Sequence, residues 1–344
     1  RGYTPAEENI ADRFHAVGPI HPETGLPVAP ERFGFTSVFA DEIRSLAATR
    51  EDIVGITAAM MQPVGLGPMH EAFPGRVIDV GIAEAEAVTS AAGMAYEGAH
   101  PVVALYATFL NRGFDQLLMD VALHRAGVTF ILDRAGITGS DGASHNGVWD
   151  IAMCSLIPGL RLAAPRDEDT LREELREAIS VDDAPTVLRY RKGALPEPMP
   201  ALRRVGDVDV LLDEEVAPCR ARVLIVGTGA CVPDAITAAR RLIDDGISVT
   251  VVDPRWLVPI SPDLASLALG FDAVIAVEDG IVQGGFGWAL RDSLFDAGIP
   301  VRCLGVPQVL PEHGDRSEMI KDFGYDADGI EAAVRAQVER FARC

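Results

Sequence analysis

Short apolar runs separated by stretches of helical periodicity dominate the chain, and this alternation limits the fold more than any other feature. Runs fall at 53–57, 77–80, 102–106, 128–132, 161–163 and 186–189, then at 221–226, 249–253, 273–277 and 301–304. Helical spacing fills the gaps between them, at 36–49, 85–96, 113–124, 165–178 and 235–245, and a last helix covers 330–342. Thr36 or Ser37 would cap the first helix, and Asp167, Glu168 and Asp169 place acid in the first turn of the 165–178 helix. Strands that need a helix between them pair in parallel, so the expectation is α/β, with two doubly wound, mainly parallel-sheet domains. A polar, Pro-rich passage at 196–204 divides 33–200 from 205–344. Residues 1–32, opening on Arg1 and rich in Pro and Gly, read as an arm or linker that follows a further segment.

Charge and composition narrow the function. The 344 residues carry a formal charge of −21, a field that repels phosphate backbones and argues against nucleic acid as a partner. An anionic substrate would therefore have to be met by a few locally placed Arg or Lys side chains. No apolar run reaches the roughly 20 residues of a membrane span, so no membrane partner is expected. Five cysteines without CxxC spacing read as reduced thiols of a cytoplasmic protein, with no metal site.

Ligand-binding side chains in open α/β sheets gather beyond the carboxyl ends of the strands. Four segments put reactive side chains there. In VIDVGIAEAEAVTSAAG (77–93), Glu84 stands where a strand gives way to a small-residue helix; pattern alone also lets it simply complement the helix dipole. In LYATFLNRGFDQ (105–116), Tyr106, Phe109 and Arg112 occupy the equivalent place, where aromatics also serve as core. The Gly-rich loop LDRAGITGSDGASHNGVWD (132–150) carries Arg134, Asp141 and His145 together, and long polar loops at strand ends commonly hold function. LRYRKG (188–193) sets Arg189, Arg191 and Lys192 at a strand end, as an anion site or a solvated edge. The turn GTGACV (227–232) followed by Asp253 imitates a dinucleotide fingerprint, but Val232 replaces the third glycine and NAD is not expected.

Taken in order, GIAEAEAVTSAAG, YATFLNRGFDQ, DRAGITGSDGASHNGVWD, RYRKG, VDPRWLVPIS, EDGIVQGGFG and LPEHGDRSEM resemble the 1-deoxy-D-xylulose-5-phosphate synthase family, actinobacterial forms especially. The resemblance covers nearly the whole chain and implies a pyrimidine-binding domain followed by a transketolase C-terminal domain. It also implies thiamine diphosphate as cofactor, its pyrimidine end bound here. A diphosphate-binding N-terminal domain, with Mg²⁺ and a GDG…N motif that this sequence lacks, would be a separate or cleaved partner. By the same resemblance, Glu84 would hydrogen-bond the aminopyrimidine N1′ and Phe109 would stack on that ring. Arg112 and Tyr106 would line the channel, and Arg134 and Lys192 would take the phosphate of glyceraldehyde 3-phosphate. Asp141 and His145 would manage protons at the reacting carbonyls, with pyruvate as donor. The family pairs its pyrimidine-binding domains about a two-fold axis, so self-association is implied, with the Ala-rich helix 85–96 as the face.

Four positions depart from the family pattern. Ala85 and Glu86 stand where Gln and His are usual, Ala107 where Ser is, and Arg191 where Pro is. Glu86 exchanges a cation for an anion close to Glu84, though two residues further along a helix it should face elsewhere. An alternative function is a split transketolase-like two-carbon transferase of specialised metabolism with another donor or acceptor, and a second is a non-catalytic partner.

Overall fold

Strands β1 (Ile53–Thr57), β2 (Val77–Asp79), β3 (His100–Tyr106), β4 (Thr129–Asp133), β5 (Arg161–Ala163) and β6 (Thr186–Tyr190) run parallel in one sheet. The computed structural model describes residues 2–9, 14, 20–28, 33–217 and 221–341. Residues 1, 10–13, 15–19 and 29–32 of the arm, Cys219, Cys344 and the expected helix end at Ala342 lie outside them. The strands of this sheet are buried on both faces, as parallel strands under helices must be: Val102, Val103, Ala104 and Leu105 of β3 and Phe130, Ile131 and Leu132 of β4 are fully enclosed. The order β5-β6-β4-β3-β1-β2 reverses direction between β1 and β3. A crevice opens at such a reversal, beyond the carboxyl ends of the strands.

The second sheet has the order β13-β12-β9-β10-β8-β7. Its parallel part is β9 (Arg222–Gly227), β10 (Ser248–Asp253), β12 (Ala273–Ile281) and β13 (Val301–Val306). An antiparallel hairpin, β7 (Arg203–Val205) and β8 (Val208–Glu214), completes it. No local pattern marks this hairpin, because Asp209 interrupts the apolar run of β8 and is nevertheless fully buried. One strand crosses between the sheets. β11 (Trp256–Val258) follows directly on β10 but pairs antiparallel with β5, at the edge of the first sheet.

Buried ions join the two halves. Arg166 Nη1 donates to Asp209 Oδ2 at 2.8 Å and to Asp253 Oδ2 at 2.9 Å, and all three side chains are enclosed. Arg204 Nε donates to Asp209 Oδ1 at 2.6 Å. Trp256 Nε1 donates to Glu177 Oε2 at 2.7 Å, which fastens β11 to the helix Glu168–Ile179. That helix has a complete capping box, built by Asp167 and Thr170.

Two helical expectations need correction. The helix Phe35–Thr49 has no side-chain cap; Gly34 is its cap residue, and Thr36 Oγ1 instead donates to the buried Asp133 Oδ2 at 2.6 Å. The stretch expected as one helix at 113–124 is a 3₁₀ turn, Ala107–Gly113, then an α-turn, Phe114–Gln116, then a π-turn, Leu117–Ala122. Contacts with the helix Glu84–Tyr96 shape it: Thr89 Oγ1 donates to Asp120 Oδ2 at 2.8 Å, and Tyr96 Oη donates to the Asp120 carbonyl.

Glu278 is buried within β12 and caps the helix Phe286–Ser293, accepting from the N–H groups of Phe286 and Gly287 at 2.9 Å each. Burial pushes its carboxyl up to about 7, against the pull of those two donors. In the unfolded chain the carboxyl ionises at ordinary acidic pH, whereas in the fold it ionises only near neutrality. Stability from this group is thus complete in acid and declines as pH rises towards 7, by about 3 kcal/mol. Urea denaturation at pH 5 and pH 8 should show that decline, and Glu278→Gln should flatten it. An equal slope in the variant would assign the pH dependence to other buried carboxyls.

Candidate active site

β2 ends at Asp79, whose Oδ1 accepts from the N–H groups of Ala59 at 2.7 Å and Gly81 at 3.0 Å. That turn delivers Glu84 as the first residue of the helix Glu84–Tyr96, with Ala83 as a cap residue that offers no side-chain acceptor. Glu84 is 7% exposed, and its carboxylate makes no hydrogen bond or ion pair with any described residue. The side chain is buried but its carboxylate bonds nothing in the chain, which leaves it open to a donor from outside. Gly113 closes against the same turn: a Cβ there would lie 2.8 Å from Val88 Cγ2 and 3.4 Å from the Glu84 carbonyl oxygen. The 3₁₀ turn carrying Phe109 and Arg112 is thereby packed onto the helix that starts at Glu84. Glu86 points away to solvent, where its Oε1 accepts from Ser90 Oγ at 2.9 Å.

Beyond the ends of β3 and β4, the aromatic and basic candidates meet. The rings of Tyr106 and Phe109 lie nearly parallel, 5.9 Å apart with 14° between planes. His145 meets Phe109 edge-on, 5.6 Å between centroids. The Arg134 guanidinium covers the other partner, 4.0 Å from the Tyr106 centroid, close enough for a cation–π contact. Arg134 adopts a left-handed φ of 60° and is held by Nη1 donating to the Pro63 carbonyl at 3.1 Å and to Asp133 Oδ1 at 3.0 Å. A non-glycine residue is rarely held there unless its surroundings fix it. Burial pushes the Asp133 carboxyl up, and Arg134 and Thr36 oppose that shift. Burial likewise pushes the Tyr106 phenol up, with Arg134 opposing.

The loop between β4 and the helix Asp150–Cys154 returns its two functional residues to this cluster. Ser144 Oγ shares a 2.9 Å hydrogen bond with His145 Nδ1, and Thr108 Oγ1 donates to the Ser144 carbonyl at 3.0 Å. Asp141 pairs with Lys192, Oδ1 to Nζ at 2.5 Å. Arg112 is exposed on its turn and makes no hydrogen bond or ion pair with a described residue. Tyr106, Phe109, Arg134 and His145 thus touch one another, the Asp141–Lys192 pair joins two of the four segments, and Glu84 stands at the helix that backs them. Among the described residues no cluster of three or more His, Cys, Asp or Glu is arranged to hold a metal. No helix among them is long and apolar enough to cross a membrane.

Arg189 does not belong to an anion site. It is buried, with Nε donating to Asp150 Oδ2 at 2.6 Å and Nη2 to the Asp279 carbonyl at 2.8 Å. Arg191 Nη2 donates to the Ala194 carbonyl at 3.0 Å, which leaves Lys192 as the residue of that basic run paired within the cluster. The GTGACV turn has no room for a pyrophosphate: a Cβ at Gly229 would lie 2.9 Å from the Ala164 carbonyl oxygen, and Asp253 is held by Arg166. Sequence reasoning missed Asn146, Asp279 and Arg316, which hold the 134–147 loop from behind. Their signal is tertiary, since Asp279 and Arg316 lie more than 130 residues from that loop.

Comparison with known proteins follows the same division. Residues 32–198 match the model of the transketolase pyrimidine-binding domain, and 215–330 match that of the transketolase C-terminal domain. The chain is 54% identical to a 1-deoxy-D-xylulose-5-phosphate synthase of Streptomyces griseus, over 99% of this chain and 53% of that one. It is 52% identical to the synthase of Corynebacterium glutamicum strain R, over 97% of this chain and 54% of that one. The chain therefore spans about half the length of the curated relatives it matches. Among solved structures it resembles a split-gene transketolase described as an inactive β4 tetramer, with a TM-score of 0.77, 26% identity, and 90% and 99% of the two chains covered. Transketolase from Campylobacter jejuni shares the fold, at TM-score 0.71 and 18% identity over 88% of this chain and 46% of that one. The chain belongs to the transketolase family, of which it carries the pyrimidine-binding and C-terminal domains, and its relatives there include the actinobacterial 1-deoxy-D-xylulose-5-phosphate synthases.

Proposed function

We propose that this chain is the catalytic half of a thiamine-diphosphate-dependent 1-deoxy-D-xylulose-5-phosphate synthase that works in the cytoplasm on pyruvate and glyceraldehyde 3-phosphate. A diphosphate-binding domain with its Mg²⁺, outside this chain, would complete it. The observation that carries the reading is the unpartnered carboxylate of the largely buried Glu84 beside an aromatic and basic cluster. A protonated ring nitrogen is a fitting donor to such a carboxylate, and the flat Phe109 ring is a fitting wall for a pyrimidine. When bound, thiamine diphosphate supplies the carbon nucleophile and the electron sink for decarboxylation.

The chain's own side chains do the rest. Glu84 holds the proton at the pyrimidine nitrogen. Arg134 and Lys192 meet the phosphate of the aldehyde; Lys192 has donors to spare beyond its bond to Asp141. His145, oriented through Ser144, gives or takes the proton at the reacting carbonyl, and Asp141 holds Lys192 beside it through their ion pair. The reading of Glu86 as a mark of altered donor choice loses support, because that side chain faces solvent and bonds Ser90. Self-association fits the exposed apolar side chains of Ile82, Tyr96, Met119 and Leu123, on and beside the helix Glu84–Tyr96. The tetramer named for the split-gene transketolase supports the idea that a chain of this extent assembles yet needs a complement.

The test is reconstitution with a diphosphate-binding domain, with pyruvate and glyceraldehyde 3-phosphate as substrates, followed by sedimentation of the same assembly. Turnover and an assembly larger than one copy are expected. Lys192→Met should raise KM for glyceraldehyde 3-phosphate at least about tenfold and leave that for unphosphorylated glyceraldehyde unchanged, as loss of a charge-assisted phosphate contact requires. Turnover with a ketose phosphate donor but not with pyruvate would replace the proposed reaction with ketol transfer.

A further inference from the structure

We propose that Asp279 and Arg316 of the second domain are positioning residues for the loop that carries Asp141 and His145, an inference that rests on the role given to that loop above. The loop closes at a neck where the N–H of Gly136 donates to the Gly147 carbonyl at 2.8 Å and the N–H of Gly147 donates back at 2.9 Å. Past the neck its own domain reaches it through Thr108, Lys192 and the ring of Phe109 against His145. Every other anchor beyond the neck comes from the second domain or from within the loop.

Those anchors converge on one carboxylate. Asp279 Oδ1 accepts from the N–H of Ile137 at 3.1 Å and from Tyr325 Oη at 3.0 Å, while Oδ2 accepts from Arg316 Nη2 at 2.7 Å. Arg316 Nη1 donates to the Ile137 carbonyl, so both backbone groups of one loop residue are held by the same ion pair. There is no slack at this contact. A Cβ at Gly136 would lie 2.0 Å from Asp279 Oδ2, and one at Gly139 would lie 2.8 Å from the Gly314 carbonyl oxygen and 2.9 Å from the Arg316 nitrogen. Asn146, next to His145, carries the grip to the far side of the loop. Its Nδ2 donates to the Pro311 carbonyl at 3.1 Å, and its Oδ1 accepts from the Thr138 N–H at 2.9 Å.

Asp279 also reaches the fourth site segment, since its carbonyl accepts from Arg189, three residues before Lys192 on the same β6 edge. The carboxylate is 1% exposed, yet its oxygens are met by a guanidinium, a phenol and a backbone N–H. A buried charge so completely bonded is rigid, and two backbone atoms of the loop inherit that rigidity. Neither Asp279 nor Arg316 contacts the aromatic and basic cluster, so they act through the loop.

Arg316→Gln, in the chain as it stands, should raise amide hydrogen exchange across 137–147 at least about tenfold without changing exchange in β3 or β9, the signature of a local opening. In the reconstituted enzyme the same variant should lower kcat/KM for the aldehyde at least about tenfold, because a loop displaced by an ångström misplaces its side chains. KM for the donor should hold within a factor of two, and Arg316→Lys should recover part of the loss. Tyr325→Phe, which deletes one donor to the same carboxylate without opening a cavity, should give the same pattern at smaller size. Unchanged exchange at 137–147, or a rise spread equally over β3 and β9, would overturn the inference. A selective rise in loop exchange in Arg316→Gln, with no synthase turnover from the wild-type assembly, would uphold the positioning and reject the proposed reaction.

Discussion

Glu84→Gln in the reconstituted enzyme is expected to lower kcat by about 10³-fold, within the range that positioned proton transfer contributes. Glutamine keeps the size of the side chain and its place at the first helical turn, but it cannot share a proton with a ring nitrogen. The enclosed position has no described partner to take over that role, and the change removes no internal hydrogen bond, so melting temperature and assembly should stay as in the wild type. Turnover within a factor of ten of wild type would reject Glu84 as the proton-holding group and favour a non-catalytic role for the chain.

The second large effect is on stability. Arg166→Met leaves Asp253, fully buried, without a cation, and Asp209 beside it with Arg204 alone. Breaking a buried ion cluster by removing one member costs about 3–5 kcal/mol, chiefly from the charge left behind. For a chain of this size the unfolding midpoint should fall on the order of 10 °C. The loss should be greater at pH 8 than at pH 5, since protonation relieves the stranded carboxylate. Adding Asp253→Asn to Arg166→Met should restore more than half of the loss, because the carboxylate left without a cation is then neutral, while Asp209 keeps Arg204. A single variant that melts with the wild type would show that the ion cluster contributes little to the join between the halves.

Periodicity located the first-sheet strands to within a residue or two, and β1 and β5 at their observed limits, because strands buried on both faces read as unbroken apolar runs. It failed where tertiary contacts override local pattern. β8 was hidden by Asp209, an acidic residue made acceptable in the core only by Arg166 and Arg204. The 113–124 helix broke into turns of three kinds because Gly113 must lie against the Glu84 turn and Asp120 must meet Thr89 and Tyr96. At the site, Tyr106, Phe109, Arg134 and His145 were legible as strand-end residues, and the structure brings them into contact. The grip of Asp279 and Arg316 was not legible, since no local spacing encodes a partner in the other domain.

The passage of β11 from one sheet to the other bears on how such a chain can be divided. A fragment ending near residue 200 would keep the whole pyrimidine-binding sequence but leave β5 with a bare edge, its ladder groups open to any passing strand. The complementary fragment would carry Trp256, Leu257 and Val258 with nothing to cover them. Two pieces that look like independent modules by sequence would each be sticky when expressed alone, and a gene fission in this lineage would be tolerated ahead of residue 33 far more readily than between the sheets.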